Sequence, residues 1–96
     1  MNLISRPKLI LAAIQIENPD LIARVERWHY QITHNDYATF VQLRAGFPRV
    51  DLVGDRLAFN LGSYRLIVGF NFQTQTLYFK HLLSHDDYMR KGWQSE

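Results

Sequence analysis

The sequence predicts an α+β fold, with N-terminal helices packed on one face of a mostly antiparallel sheet and a short helix closing the chain. Three observations carry this. Apolar residues recur at spacings of three and four as far as Leu43. From Val50 onward they alternate with polar residues instead. The alternating runs are separated by short turns rich in Gly, Ser, Gln and Thr, which join antiparallel neighbours. Helices first and strands second is the pattern of a domain that segregates helices to one sheet face.

The opening residues, Met1 to Ile4, are short and apolar and fit an edge strand or a plain lead-in. Ser5 is placed to cap a helix, and Pro7 is tolerated in a first turn, where its missing N–H has no helical partner. Leu9, Ala13 and Ile16 then share a face, which Ile10 and Ile14 widen, and this helix should end near Glu17. Asn18-Pro19-Asp20 is a restart: a cap, a first-turn proline and an acid at the positive helix end. Leu21, Val25, Trp28 and Ile32 follow on one face, with Arg24, Glu26, Arg27 and Gln31 opposite. The two helices form an αα-hairpin. His34-Asn35-Asp36 breaks the pattern. Asn35 or Asp36 should cap a third helix, with Phe40 and Leu43 inward, ending at Gly46 before the extended Phe47-Pro48.

Val50 and Leu52 alternate with Asp51, and Gly54-Asp55 turns the chain. Leu57, Phe59 and Leu61 alternate with Arg56, Ala58 and Asn60 up to the Gly62-Ser63 turn. Tyr64, Leu66, Val68, Phe70 and Phe72 share the face opposite Arg65, Ile67, Gly69 and Asn71. After Gln73-Thr74-Gln75, strict alternation puts Leu77, Phe79, His81 and Leu83 on one side, against Tyr78, Lys80 and Leu82. That phase makes His81 a partly buried core residue. A final helical turn runs from Ser84 or His85 through Met89 and stops by Gly92. The sheet face away from the helices is left partly open, a natural binding surface.

A chain of 96 residues without a Gly- or Ser-rich linker is one domain, residues 1–96. With 47% hydrophobic and 14% aromatic residues it should fold rather than stay disordered. The absence of cysteine excludes disulfides and thiolate zinc sites. A net charge of +2 permits a polyanionic partner without demanding one. The apolar run from Leu9 to Ile14 is too short to span a bilayer, and no signal-peptide pattern follows it. The expectation is a soluble, cytoplasmic protein.

The stretches MNLIS, FPRVDLVGDRLAFNLGSYRLIVGFNF, LYFKHLLSHDDY and KGW, in that order, resemble the HigB-type toxins of bacterial toxin–antitoxin pairs, a branch of the RelE-like endoribonuclease superfamily. The resemblance covers the first strand and roughly the C-terminal half. It implies a compact RelE-like fold and cleavage of messenger RNA, usually on translating ribosomes. It also implies neutralisation by a cognate helix-turn-helix antitoxin, through which operator DNA is contacted only indirectly. One departure stands out: an Asp often follows the family's C-terminal tyrosine, and here Met89 follows Tyr88.

RNA cleavage through the ribose 2′-hydroxyl needs a base, an acid and positive charge at the phosphoryl oxygens, but no cofactor. The resemblance implies Arg65 and Lys80 as phosphate-stabilising residues, although residue type alone fits solvated strand positions. It likewise implies His85 and Tyr88 for proton transfer or substrate orientation, with acid and base unassigned. Histidine suits proton exchange near neutrality, whereas a tyrosine here equally fits core packing. Arg49, Arg56, Asn60 and Lys91 are further RNA-binding candidates by charge or hydrogen-bonding capacity. His81, His85, Asp86 and Asp87 do not share a face at metal-ligand spacing, so no metal site is expected. The alternative reading is a non-catalytic RNA- or protein-binding module on the same scaffold, or an interaction domain in which Trp28 and Trp93 form a partner surface.

Overall fold

The chain is seen in a computed structural model that describes residues 1–90 and 92–95. The elements in order are β1 (Asn2–Ile4), α1 (Arg6–Ile16), α2 (Pro19–Thr33), α3 (Phe40–Gly46), β2 (Asp51–Val53), β3 (Arg56–Leu61), β4 (Tyr64–Asn71), β5 (Thr76–Ser84), α4 (His85–Arg90) and a 3-10 turn, Gly92–Ser95. The sheet order is β1-β5-β4-β3-β2. Every neighbouring pair is antiparallel except β1 with β5, which is parallel. The predicted α+β class and RelE-like arrangement hold, and Met1 to Ile4 contributes an edge strand.

The helix α2 forms where its pattern demands. Asn18 accepts from the backbone N–H groups of Asp20 at 3.0 Å and Leu21 at 3.3 Å, satisfying two donors that lack helical partners. Leu21, Val25, Trp28 and Ile32 are all buried against the sheet. Each such side chain contributes about 1.5–3 kcal/mol on leaving water. They meet Leu57, Phe59, Leu66, Val68 and Leu77 from the strands in one main core. The α-amino group of Met1 closes this core at one end, donating to the Ile32 carbonyl at 2.8 Å and that of Asn35 at 2.6 Å.

Several local expectations are corrected. Ser5 sits at the α1 start with φ 70°, and its side chain makes no capping bond; its carbonyl instead accepts from Lys8 N–H at 3.0 Å. Ile14 is exposed, so the buried stripe of α1 is only Leu9 and Ala13. Neither Asn35 nor Asp36 caps α3. Thr39 does, accepting from Gln42 N–H at 3.2 Å, while Gln42 Oε1 accepts from Ala38 N–H at 2.8 Å. Gln75 clamps the stretch before Thr39. The Gln75 side chain accepts from Tyr37 N–H at 3.0 Å and donates to Tyr37 O at 2.7 Å. Trp28 and Trp93 are 3% and 6% exposed, which removes them as a partner surface.

The largest correction concerns β5. Val68 pairs with Phe79, but Ile67 pairs with His81, leaving Lys80 as the extra residue of a β-bulge. The bulge reverses the side-chain phase. Leu77, Phe79 and Leu82 belong to the main core, whereas Leu83 lies in a second cluster on the other face. His81 moves with it and faces Trp93, at 6.5 Å between ring centroids. It is therefore not in the main core.

That other face is also less open than expected. The tail folds back over it, and Trp93 packs on Ala58 and Ile67, with Val53, Leu83 and Tyr88 around them. A sheet with an apolar patch on both faces needs cover on both, and the tail supplies the second layer.

Candidate functional site

Cross-strand register lays out the tail-covered face in rows. Asn60, Arg65 and Leu83 are partners across β3, β4 and β5. The next row is Asp51, Ala58, Ile67 and His81. Beyond it come Val53, Arg56, Gly69 and Tyr78. Residues in a row point to the same side of the sheet. Small side chains in the middle, Ala58 and Gly69, leave room for larger groups laid across them.

Arg65 is half-buried in the middle of the first row. Its Nη1 donates to the carbonyls of Gly62 and Tyr64, each at 2.9 Å. These bonds fold the side chain back on the β3–β4 turn and orient the guanidinium. Among the described residues no other nitrogen of this guanidinium has a protein acceptor. The Cζ lies 5.9 Å from the Tyr88 ring centroid, within range for a cation–π contact. Tyr88 in turn stacks on Trp93, with centroids 5.5 Å apart and planes 17° from parallel. Trp93 Nε1 donates to the Tyr88 carbonyl at 3.0 Å. The tail thus holds its own tyrosine in place through an indole, and that tyrosine abuts the arginine.

Burial raises the Tyr88 hydroxyl pKa above its ordinary 10.0, the nearby Asp51 carboxylate adds to the rise, and Arg65 opposes it. The hydroxyl therefore stays protonated and available as a donor at neutral pH.

The other candidates fall at differing places. Lys80 is exposed on the bulge, with its side chain against Gly69, where an added Cβ would meet Cε at 3.5 Å. Because Gly69 belongs to the Arg65 face, the bulge brings Lys80 and His81 to one side of the sheet. His85 opens α4 and is exposed; its backbone N–H donates to Ser63 O at 2.9 Å, which moors the tail beside the turn that Arg65 holds. Asn60 is half-buried and shares Arg65's row. Arg56 is half-buried two rows away and lines a 200 Å³ cavity with Val53 and Trp93. Arg49 is exposed and lines a cleft with Asn60 at the far side of β3. Lys91 lies outside the described residues. Met89, the residue after Tyr88, is 57% exposed on α4.

Two contributors escaped the sequence reading. His81 was hidden by the bulge, which leaves no mark in an apolar–polar alternation. Trp93 was visible as part of a K-G-W close, but its role as the platform under Tyr88 depends on the tail turning back. Among the described residues no three His, Asp or Glu side chains converge as they would around a metal ion.

The arrangement offers an oriented guanidinium, a protonated phenol, a lysine and the His81 imidazole along one face, with His85 exposed at the start of the tail helix beside it. Such a set suits an anionic, planar-ringed ligand: phosphate on the cations and bases on the aromatics. No helix among the described residues is long and apolar enough to cross a membrane. A family model described as the HigB toxin, the RelE-like toxic component of a toxin–antitoxin system, matches residues 22–91 of the chain. No curated protein matches it.

Proposed function

The chain belongs to the HigB family of RelE-like toxins from toxin–antitoxin systems, and on that footing we propose that it is an endoribonuclease that cuts messenger RNA on translating ribosomes in the cytoplasm. The observation that supports this reading best is the contact of Arg65 with Tyr88, 5.9 Å from guanidinium carbon to ring centroid. It sets a phosphate-binding group beside a hydroxyl donor at the matched part of the chain.

In the proposed reaction the ribose 2′-oxygen attacks the adjacent phosphorus, and its proton passes to a base. The bond from phosphorus to the 5′-oxygen breaks, and an acid protonates that oxygen. The products are a 2′,3′-cyclic phosphate and a 5′-hydroxyl. Arg65 and Lys80 stabilise the charge on the phosphoryl oxygens. Tyr88, held protonated, donates to the phosphate or to the leaving oxygen, and His85 serves as the second proton carrier. The reaction draws its nucleophile from the substrate, so it requires no cofactor. Arg49, Arg56, Asn60 and Lys91 extend the RNA contact. A helix-turn-helix antitoxin, binding operator DNA itself, keeps the enzyme silent.

The test is in vitro cleavage of a ribosome-bound message with and without EDTA. The proposal expects cleavage that survives EDTA and is lost in Arg65→Ala. A folded wild type that binds RNA but never cuts it, with or without ribosomes, supports the rival reading of a non-catalytic module.

A further inference from the structure

The ladder between β2 and β3 ends at Ala58, so the remaining edge of β3 is not covered by a strand. Two adjoining cavities, of about 320 and 270 Å³, fill the space between that edge, α2 and the segment after α3. Arg24, Phe47 and Asn60 line both; Arg49 lines one, and Arg27 and Trp28 the other. No carboxylate lines either. Arg24 pairs with the exposed Asp20 at 2.8 Å, while Arg27 and Arg49 make no ion pair among the described residues. The walls are aromatic. Phe47 and Trp28 both meet Phe59 edge-on, with centroids at 5.1 and 5.3 Å. Trp28 Nε1 is buried at the base of this region without an acceptor among the described residues.

The cleft lies next to the turn that Arg65 bonds. Gly62 is the residue they share: Arg65 Nη1 bonds its carbonyl at 2.9 Å, and a Cβ on its other side would sit 3.0 Å from Arg24 Nε. The two guanidinium groups therefore flank a single residue of the β3–β4 turn. Gly62 has φ +68°, and its lack of a side chain is what lets the Arg24 guanidinium lie against it.

We propose that this cleft is a second RNA subsite, taking a nucleotide of single-stranded RNA outside the linkage cut at Arg65. The inference rests on the nuclease reading above and adds where the flanking strand goes. Arg24, Arg27 and Arg49 hold its phosphates, Phe47 supplies an aromatic wall for the base, and Asn60 offers both donor and acceptor to the base edge. Three arginines beside the half-buried Phe47, with no carboxylate in the lining itself, offer both phosphate contacts and a stacking face, the pairing that single-stranded nucleic acid uses.

The experiment measures binding, not cleavage. A fluorescent 2′-O-methyl octaribonucleotide, which lacks the reactive hydroxyl, is titrated by anisotropy against wild type, Arg24→Gln/Arg49→Gln, Arg65→Ala and a charge-matched control, Lys8→Gln/Arg44→Gln. All the substituted cleft and control residues are on the surface, and thermal melting verifies the fold. The expected result is an affinity loss of about ten-fold in the cleft variant. Its salt dependence should be shallower by about 1.4, the value for two phosphate contacts on a single strand. The control should match wild type. An unchanged affinity and salt slope in the cleft variant, with Arg65→Ala weakened, overturns this inference alone. A cleft variant that loses antitoxin binding but keeps RNA binding also overturns it, assigning the cleft to the partner protein. Wild type that binds no octaribonucleotide overturns this inference, while the nuclease reading stands or falls separately on cleavage of the ribosome-bound message.

Discussion

Arg65 commits one nitrogen to two carbonyls, and under the proposed function the rest of its fork holds the phosphate. Arg65→Ala should therefore lower RNA cleavage by roughly a hundred-fold or more, the usual loss when one transition-state donor is removed. Arg65→Lys should fall nearly as far, since a point charge does not reproduce the fork; initial rates on one RNA check both. Tyr88→Phe keeps the stack on Trp93, so its melting temperature should stay close to wild type while its cleavage rate falls. The raised Tyr88 pKa has a stability consequence. The proton is held more tightly in the folded state, so the contribution is complete below the unfolded value of about 10 and is lost as pH rises above it. Tail docking, followed by Trp93 fluorescence, should weaken in wild type between neutral pH and strongly alkaline pH. Tyr88→Phe should lack the Tyr88-linked part of this change.

The elements differ in how legible they were. The α2 helix was legible from cap to face, because Asn18-Pro19-Asp20 and the stripe from Leu21 to Ile32 depend on neighbours a few residues away. The start of α3 was not, because Asn35 and Asp36 both qualify as caps. What selects Thr39 is Gln75 bonding both backbone groups of Tyr37 from 38 residues away. Thr39→Ala should cost about 1 kcal/mol in denaturant melts if it is the working cap, and Asn35→Ala should not incur a capping loss. The β5 phase was misread for a related reason. A bulge is one extra residue in a pairing, so it shows only once the partner strand is known. Both Lys80 and Arg65 were legible as candidates through family resemblance, but His81 and the Trp93 platform were not. Trp93→Ala should speed hydrogen exchange throughout α4 while α2 keeps its protection, because the tail is held by the small cluster on Ala58 and Ile67 and not by the main core.

The whole molecule uses its sheet from both sides. One face buries the core under α1 and α2, which gives the site a firm base. The other is covered by a short tail that carries Tyr88, so the presence of the site depends on the docking of one small element. Membership in the HigB family makes the chain the toxic partner of a pair, and the layout of Arg65, Tyr88 and Lys80 supports RNA as its target. The most direct measurement is the mapping of new RNA 5′-hydroxyl ends in cells after induction of wild type or Arg65→Ala at equal protein level. The account predicts growth arrest with new ends inside messenger RNAs for wild type, and neither for Arg65→Ala. Arrest by wild type without new ends, or the same ends from a folded Arg65→Ala, would contradict it.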